Sequence, residues 1–311
     1  MVPITRVLII AGRHLLVVVV ASWILASLAF ALLRLSPSGP YDPDRHLRPE
    51  LRIALDASYL PEGTLWAQYS SFLLRAARGD LGPSMLAPDR SVAEVLRRGF
   101  LPSAALCGGA LGFALLIGVG GGLLAALGRG GAVDRAVWSS SVLGLGIPGF
   151  VLAPLLVLLL AVELHWLPPA GYGSWRHLVL PMICLGASTA AVYARAVREV
   201  LLVTLEQEHI LSARARGLGG WRLARRHLFR PIMAAVTRRL GPHLALMITG
   251  ALAIEMVFEI PGVGHHVVRA AGSRDITFVV GSILTASIVL LILGRLSRVA
   301  HGWLAGEWIR E

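Results

Sequence analysis

Six stretches of this chain are long and apolar enough to cross a lipid bilayer as helices, and no other feature of the sequence constrains the fold as strongly. They run from Leu15 to Leu33, Leu101 to Leu127, Ala136 to Val162, Leu178 to Ala194, Leu240 to Phe258 and Phe278 to Leu296. A bilayer core of about 30 Å needs about 20 apolar residues per helix. A chain that must satisfy every backbone N–H and C=O without water does so there as a helix. The fourth stretch is the least regular, since Pro181, Gly186, Ser188 and Thr189 interrupt it, but neighbouring helices can resatisfy a broken backbone. Ala29-Phe30-Ala31 has the small-residue pattern of a signal-peptidase site, yet the apolar run continues through Leu32 and Leu33, so the first stretch is read as a span. The expectation is an all-α integral membrane protein with about six transmembrane helices. Residues 1–100 would supply one helix and an outer loop, and residues 101–311 a core of five helices.

With an even number of spans both termini share a side, and arginine decides which. Every one of the 29 basic residues is Arg. If the termini are cytoplasmic, the inner segments hold 17 arginines against six acids and the outer segments 12 against 12, so the formal +11 lies wholly inside. The absence of lysine has a chemical consequence. A Walker A loop needs its Lys on the β/γ-phosphates, and Schiff-base chemistry needs an amine. Any ATP and Mg would therefore be bound by another polypeptide, and no catalytic residue is expected here. Cys107 and Cys184 fall inside apolar runs and read as small packing residues.

The segment 195–239 is too long and too patterned for a simple connector. In its second half Trp221, Ala224, Leu228 and Ile232 share one narrow helical face, Arg222, Arg226 and Arg230 lie on another, and Gly217 with Gly219-Gly220 supplies a break before them. The pattern is helix, glycine turn, helix. An amphipathic helix resting on anionic lipid would show the same periodicity.

Here the residues resemble a known family. Ser212-Ala213-Arg214-Ala215-Arg216-Gly217-Leu218, followed by Arg226-His227 and Pro231, is similar to the cytoplasmic loop of binding-protein-dependent ABC transporter permeases, where the peptide-importer branch has T-A-R-A-K-G-L with His and Pro at these offsets. Gly79-Asp80-Leu81-Gly82-Pro83-Ser84 resembles the family's G-D-[LF]-G-x-S in the first outer loop. Ile147-Pro148, Ala153-Pro154 and Leu164-His165-Trp166-Leu167-Pro168 are similar to its third span and exit. Glu255, Phe258, Pro261-Gly262-Val263-Gly264 and Arg274-Asp275 resemble the periplasmic loop after its fifth span. The resemblance covers nearly the whole chain and is nearest to the B-type subunits of the oligopeptide, dipeptide and nickel branch. There are departures. Leu211 stands where an Arg is usual, Arg216 replaces a Lys, Ala234-Ala235-Val236 replaces L-L-P, and the usual C-terminal motif gives way to Gly294, Arg298, His301 and Ala305-Gly306.

The resemblance implies a multi-pass subunit of the bacterial inner (plasma) membrane with a type I importer fold, surrounded by lipid. Its partners would be a second, paralogous permease, two ATP-binding subunits and an extracytoplasmic solute-binding protein, with no role for nucleic acid. Glu208, Ala213, Arg214, Ala215, Arg216, Gly217, Leu218, Arg226, His227 and Pro231 would form the loop that couples to the ATPases, small Ala213 and Ala215 letting the helix approach closely. Gly79, Asp80, Gly82, Glu255, Pro261, Gly262, Gly264, Arg274 and Asp275 would form the periplasmic gate and loop. Ser139, Ser140, Ser141, Ser188, Thr189, Tyr193, Thr249, Ser282 and Thr285 are candidates for a polar pathway, and Gly108, Gly112, Gly118 and Gly120 offer close helix approaches for pairing.

Three rival readings use other residues. The same architecture could carry nickel chelates, haem or another small solute. A channel or secondary transporter would need repeat symmetry or charged intramembrane relays, which the sequence lacks. An intramembrane serine protease would have only Ser188 and His243 to work with, and it leaves 195–239 without a purpose. His265-His266 is read as a solvated loop rather than a metal site, since adjacent side chains diverge and no further ligand is near.

Overall fold

The computed structural model describes residues 4–35, 50, 53, 64–84, 90–273 and 275–305. They are helical almost throughout, with one isolated bridge between Pro83 and Ser91. In chain order the helices are α1 (Ile4–Leu35), α2 (Leu65–Ala77), α3 (Val92–Leu127), α4 (Ala132–Gly146), α5 (Gly149–Leu156, continued by a π turn, Val157–Glu163) and α6 (Trp175–Leu205). Then come α7 (Glu208–Ala215), α8 (Gly220–Leu223, continued by a π turn, Ala224–Leu228), α9 (Phe229–Val257), α10 (Val263–Gly272) and α11 (Ile276–Ala305).

Among the described residues four helices are long and apolar enough to cross a membrane: α3, α6, α9 with its preceding π turn, and α11. A fifth crossing is α4 with α5, if that pair is one span. The first expected span coincides with α1, whose apolar run among the described residues is Leu16–Ala31. The third expected span is not a straight helix: it breaks between Gly146 and Gly149 and bends by 107°. Its cause is local. Pro148 pushes the residue before it out of the helical region, and Ile147 sits at φ −104°, ψ 113°, while Pro148 itself becomes the N-cap of α5. The fourth stretch, the least regular in sequence, gives the most enclosed helix. The apolar window of α6 is 56% buried, against 22–33% for the other three, because its small residues admit neighbouring backbones.

The chain divides into two compact units, Met1–Ala104 with Ile260–Ile292, and Ala105–Glu259 with Leu293–Glu311. In the second unit α3 and α6 meet at glycine. A Cβ on Gly118 would lie 2.6 Å from the Ala190 carbonyl oxygen and one on Gly122 2.5 Å from that of Ala194; a Cβ on Gly186 would meet Ala110 O at 2.6 Å. Gly118 was anticipated as a close approach. Gly108, Gly112 and Gly120 have open space around their Cβ positions, and Gly122 and Gly186 do the packing instead. Around this contact lies a core of Ala114, Ala126, Ala190, Tyr193, Val197 and Leu201 that extends to Ile210, Ala213, Leu223, Leu228, Ile232 and Val236. In the first unit, Val92, Val95, Leu96, Ala270 and Phe278 make one cluster and Ala29 with Val280 another, flanked by Phe72 and Ile276.

A side chain at either close glycine must push two backbones apart. Gly118→Val and Gly122→Val should each lower the detergent-solubilised melting temperature, in keeping with an overpacking cost of about 1–3 kcal/mol, whereas Gly120→Ala should not. Thermal unfolding followed by size-exclusion chromatography measures this; equal melting of all three variants would contradict the packing described.

Candidate functional site

The segment 195–239 begins and ends in long helices, with a short helix, a glycine turn and a second short helix between them. Helix α6 carries ten residues past Arg195 to Leu205, and α9 starts at Phe229. Between them α7 begins after Gln207, with Glu208 in its first turn and Arg214 in its last, each charge complementing the helix dipole. It ends on Gly217 at φ +82°. The Gly217 N–H donates to Arg214 O at 2.8 Å and the Leu218 N–H to Ala213 O at 3.1 Å, the paired closure of a Schellman cap. That closure demands a left-handed residue, which a glycine supplies without steric cost. Leu218 then packs against the same core as Ala213.

The amphipathic pattern beyond the turn is present as read: Leu228 and Ile232 are buried, and Arg222, Arg226 and Arg230 are exposed. The π turn at Ala224–Leu228 directly precedes Pro231. Proline has no N–H to give the carbonyl four residues back, and its ring crowds that carbonyl, so the ladder widens just upstream. Ala213 faces the core with no exposed surface, so it is not an approach surface for a partner; Ala215 is exposed, together with Glu208, Leu211, Ser212, Arg214, Arg216 and Gly217. The His227 and His209 rings lie 6.1 Å apart. One end of α11 braces this arm. Thr237 Oγ1 and His301 Nδ1 share a hydrogen bond of 3.0 Å, Ser297 Oγ donates to Thr237 O, and Arg230 Nε donates to Leu304 O. One of the C-terminal departures thus has a use: His301 provides the partner for Thr237.

Sequence reasoning missed a charge cluster beside the arm. Arg198 Nε and Nη2 donate to the two Asp134 carboxylate oxygens at 2.6 and 2.8 Å, and the Gly130 N–H donates to the same carboxylate at 2.9 Å. Arg195 lies 4.5 Å over the Trp138 ring. Arg129 reaches Glu206 at 2.6 Å, an exposed pair that contributes little. Asp134 had entered only as one acid in a charge count. Nothing local in sequence shows that a residue 64 positions away completes it.

In the first unit the two outer motifs converge. Gly79, at φ +78°, closes α2 by the same cap: Gly79 N–H to Ala76 O at 3.0 Å and Asp80 N–H to Arg75 O at 2.9 Å. The Asp80 carboxylate accepts the Gly82 N–H at 3.0 Å, and the Gly82 carbonyl accepts the Val92 N–H at 2.9 Å. Asp275, fully buried, caps α11 by accepting from Thr277 Oγ1 (2.7 Å) and the Phe278 N–H (3.0 Å), and Ser84 Oγ donates to it at 3.4 Å. Gly262 and Gly264 are buried and Pro261 is exposed; the Val263 N–H donates to Ser103 Oγ at 2.8 Å, and a Cβ on Gly99 would meet the Gly262 backbone at 2.9 Å. Arg274 lies outside the described residues. Glu255 belongs to the second unit and is fully buried on α9.

His265 and His266 are not in a solvated loop. Both are half-buried on α10, and His266 lies edge-on to Phe278. Burial, with the His265 and Arg269 charges, lowers its pKa. Among the described residues no group of three or more metal ligands occurs. The nine pathway candidates differ in their surroundings. Ser140, Ser141, Thr249, Ser282 and Thr285 bond carbonyls of their own helices; Thr189 and Tyr193 are buried; Ser139 and Ser188 are exposed.

If the Asp134 carboxylate holds α4 to α6 through Arg198, removing either partner should cost the same interaction. Asp134→Asn and Arg198→Gln should each lower the melting temperature, and the double variant should melt close to the worse single one rather than at the sum of both shifts. Strict additivity would show the pair to be uncoupled.

Against known proteins, residues 118–309 match the family described as binding-protein-dependent transport system inner membrane component. The chain is 35% identical to the oligopeptide transport system permease protein OppB of Escherichia coli K12 over 269 residues, 86% of this chain and 88% of that one. It is 34% identical to the dipeptide transport system permease protein DppB of Bacillus subtilis 168 over 281 residues, 90% and 91% of the two chains. With the glutathione transport system permease protein GsiC of Escherichia coli O6:H1 it shares 32% over 229 residues, 74% of each chain. A helical chain with several membrane-length helices, a glycine-capped arm and this extent of identity belongs to the family of inner membrane components of binding-protein-dependent transport systems.

Proposed function

We propose that this chain is one of two permease subunits in an ATP-driven importer of peptides, its termini cytoplasmic, and that α7 is the element through which ATPase subunits move it. The family makes ATPase and binding-protein partners the general setting. The finer stoichiometry proposed is one similar permease, two ATP-binding subunits that hold ATP and Mg, and one extracytoplasmic solute-binding protein. Peptide cargo rests on the relatives, whose names specify oligopeptide, dipeptide and glutathione transport.

The observation that carries the coupling role is the construction of α7. Its inner face, Ile210 and Ala213, is buried against the core, while Glu208, Leu211, Ser212, Ala215 and Arg216 are left on the surface by a cap that fixes the helix end. A surface so held can pass on a displacement without absorbing it. ATP binding would shift the permease between inward and outward states only as far as the closed ATPases prefer one of them. The chain performs no covalent chemistry; it supplies half the pathway.

Gly217 tests this reading. Its Cβ position has open space, so Gly217→Val acts through backbone strain at φ +82°, a cost of about 1–3 kcal/mol, and not through a clash. The variant should insert normally, capture less ATPase on co-purification and lose uptake of a labelled peptide. Gly217→Asn, which tolerates the left-handed region, should restore much of both. Wild-type capture and uptake by Gly217→Val would remove α7 from the coupling role.

The purified chain alone should release no phosphate from ATP in detergent, since it has no lysine for a phosphate-binding loop. Turnover matching an assembled importer would overturn the assignment of ATP to partner subunits.

A further inference from the structure

We infer that α2, in the segment between the first two spans, lies in the membrane, with its outward face against lipid acyl chains in the leaflet at the C-terminal end of α1. The depth comes from the α1 register. Between Arg13-His14 and Arg34 the sequence has no charged residue, and the 19 residues Leu15 to Leu33 make about 28 Å of helix, close to the thickness of a bilayer core. Ser27 is seven residues short of Arg34, about 10 Å inside that boundary. The Tyr69 hydroxyl of α2 hydrogen-bonds Ser27 Oγ at 2.6 Å, the Tyr69 and Phe72 rings lie 5.4 and 5.6 Å from the Phe30 ring, and Phe72 packs with Ala29 and Val280. The middle of α2 is therefore held below the membrane surface.

The composition of α2 fits that depth. Leu65–Ala77 contains no acid and a single arginine, Arg75, in its last turn. Its hydroxyl side chains bond its own backbone: Ser70 Oγ donates to Ala67 O, Ser71 Oγ to Gln68 O, and the Thr64 side chain caps the Ala67 N–H. A water-facing helix has no need to fold its hydroxyls onto its own backbone; one in hydrocarbon does. On α2, Trp66 is 74% exposed and Leu74 59% exposed, and on α1 Trp23, Ile24 and Leu28 are exposed too. A helix pinned at this depth, free of charge up to its last turn, with Trp66 and Leu74 exposed and its serine hydroxyls already bonded to its own backbone, matches acyl chains.

The test uses the assembled importer in nanodiscs of phosphatidylethanolamine and phosphatidylglycerol, with Cys107 and Cys184 replaced by alanine. Nitroxide labels are placed at Trp66→Cys, Leu74→Cys and, just beyond the helix, Arg78→Cys. Collisions with oxygen should exceed those with a water-soluble nickel chelate at 66 and 74, with the reverse at 78. Preferential collision with the chelate at 66 and 74 would make the face aqueous. Exclusion of both reagents there would mean a protein partner covers it. Either result overturns the inference. A second measurement keeps the cysteines native: dibrominated lipid should quench more of the wild-type tryptophan fluorescence than of Trp66→Phe, and equal quenching would count against a lipid-facing Trp66.

Discussion

The contact on which the second unit depends is the meeting of two helix backbones at Gly118 and Gly122. In lipid there is no hydrophobic force to drive apolar helices together, so close packing and the dispersion it yields must do so. The Ala190 and Ala194 carbonyls occupy space a methyl group would need, and Tyr193 and Val197 fill the grooves on either side. With α6 held there, its far end becomes the platform on which Leu201, Ile210, Leu223 and Leu228 assemble a core. The arm rests on α6, and α6 rests on two missing side chains of α3.

Two distant motifs, one at Gly79 and one at Gly217, prove to be the same backbone device. Each closes a short helix by the two crossed hydrogen bonds of a Schellman cap with glycine in the left-handed region. After the first, Asp80 turns the chain through its own Asx bond and delivers Ser84 to the carboxylate that caps α11. After the second, Leu218 returns to the core and the chain restarts as α8. In both, a helix end is fixed by covalent economy instead of bulk, which leaves the neighbouring surface clear.

Much of this was legible in the sequence because it is local. Apolar length marked the spans, the periodicity of Leu228, Ile232 and the arginines marked the arm, and Gly217 stood where the period restarted. What was not legible depends on residues far apart. The 107° bend needed more than Pro148, which announces a break but not its angle; Cys184, whose carbonyl lies 2.5 Å from where a Gly149 Cβ would be, shows how closely α5 settles on α6. The pairing of Asp134 with Arg198 could not be read from a charge tally. His265-His266 looked like loop because adjacent histidines carry no period, yet Val263, Val267 and Ala270 supply one. Polarity marks nine hydroxyl residues in the spans, and it does not show that five of them, Ser140, Ser141, Thr249, Ser282 and Thr285, bond carbonyls of their own helices.

The bracing of α9 by α11 has a mechanical consequence. Thr237 is gripped by His301 and Ser297, Arg230 by the Leu304 carbonyl, and Gly241 lies against Ser297 and Gly294. Two rods joined at several points along their length resist bending far more than either does singly, just as a laminated beam outperforms loose planks. A load applied near Pro231 is therefore borne by the pair, and compliance is concentrated where the ladder is already widened, at the π turn of Ala224–Leu228.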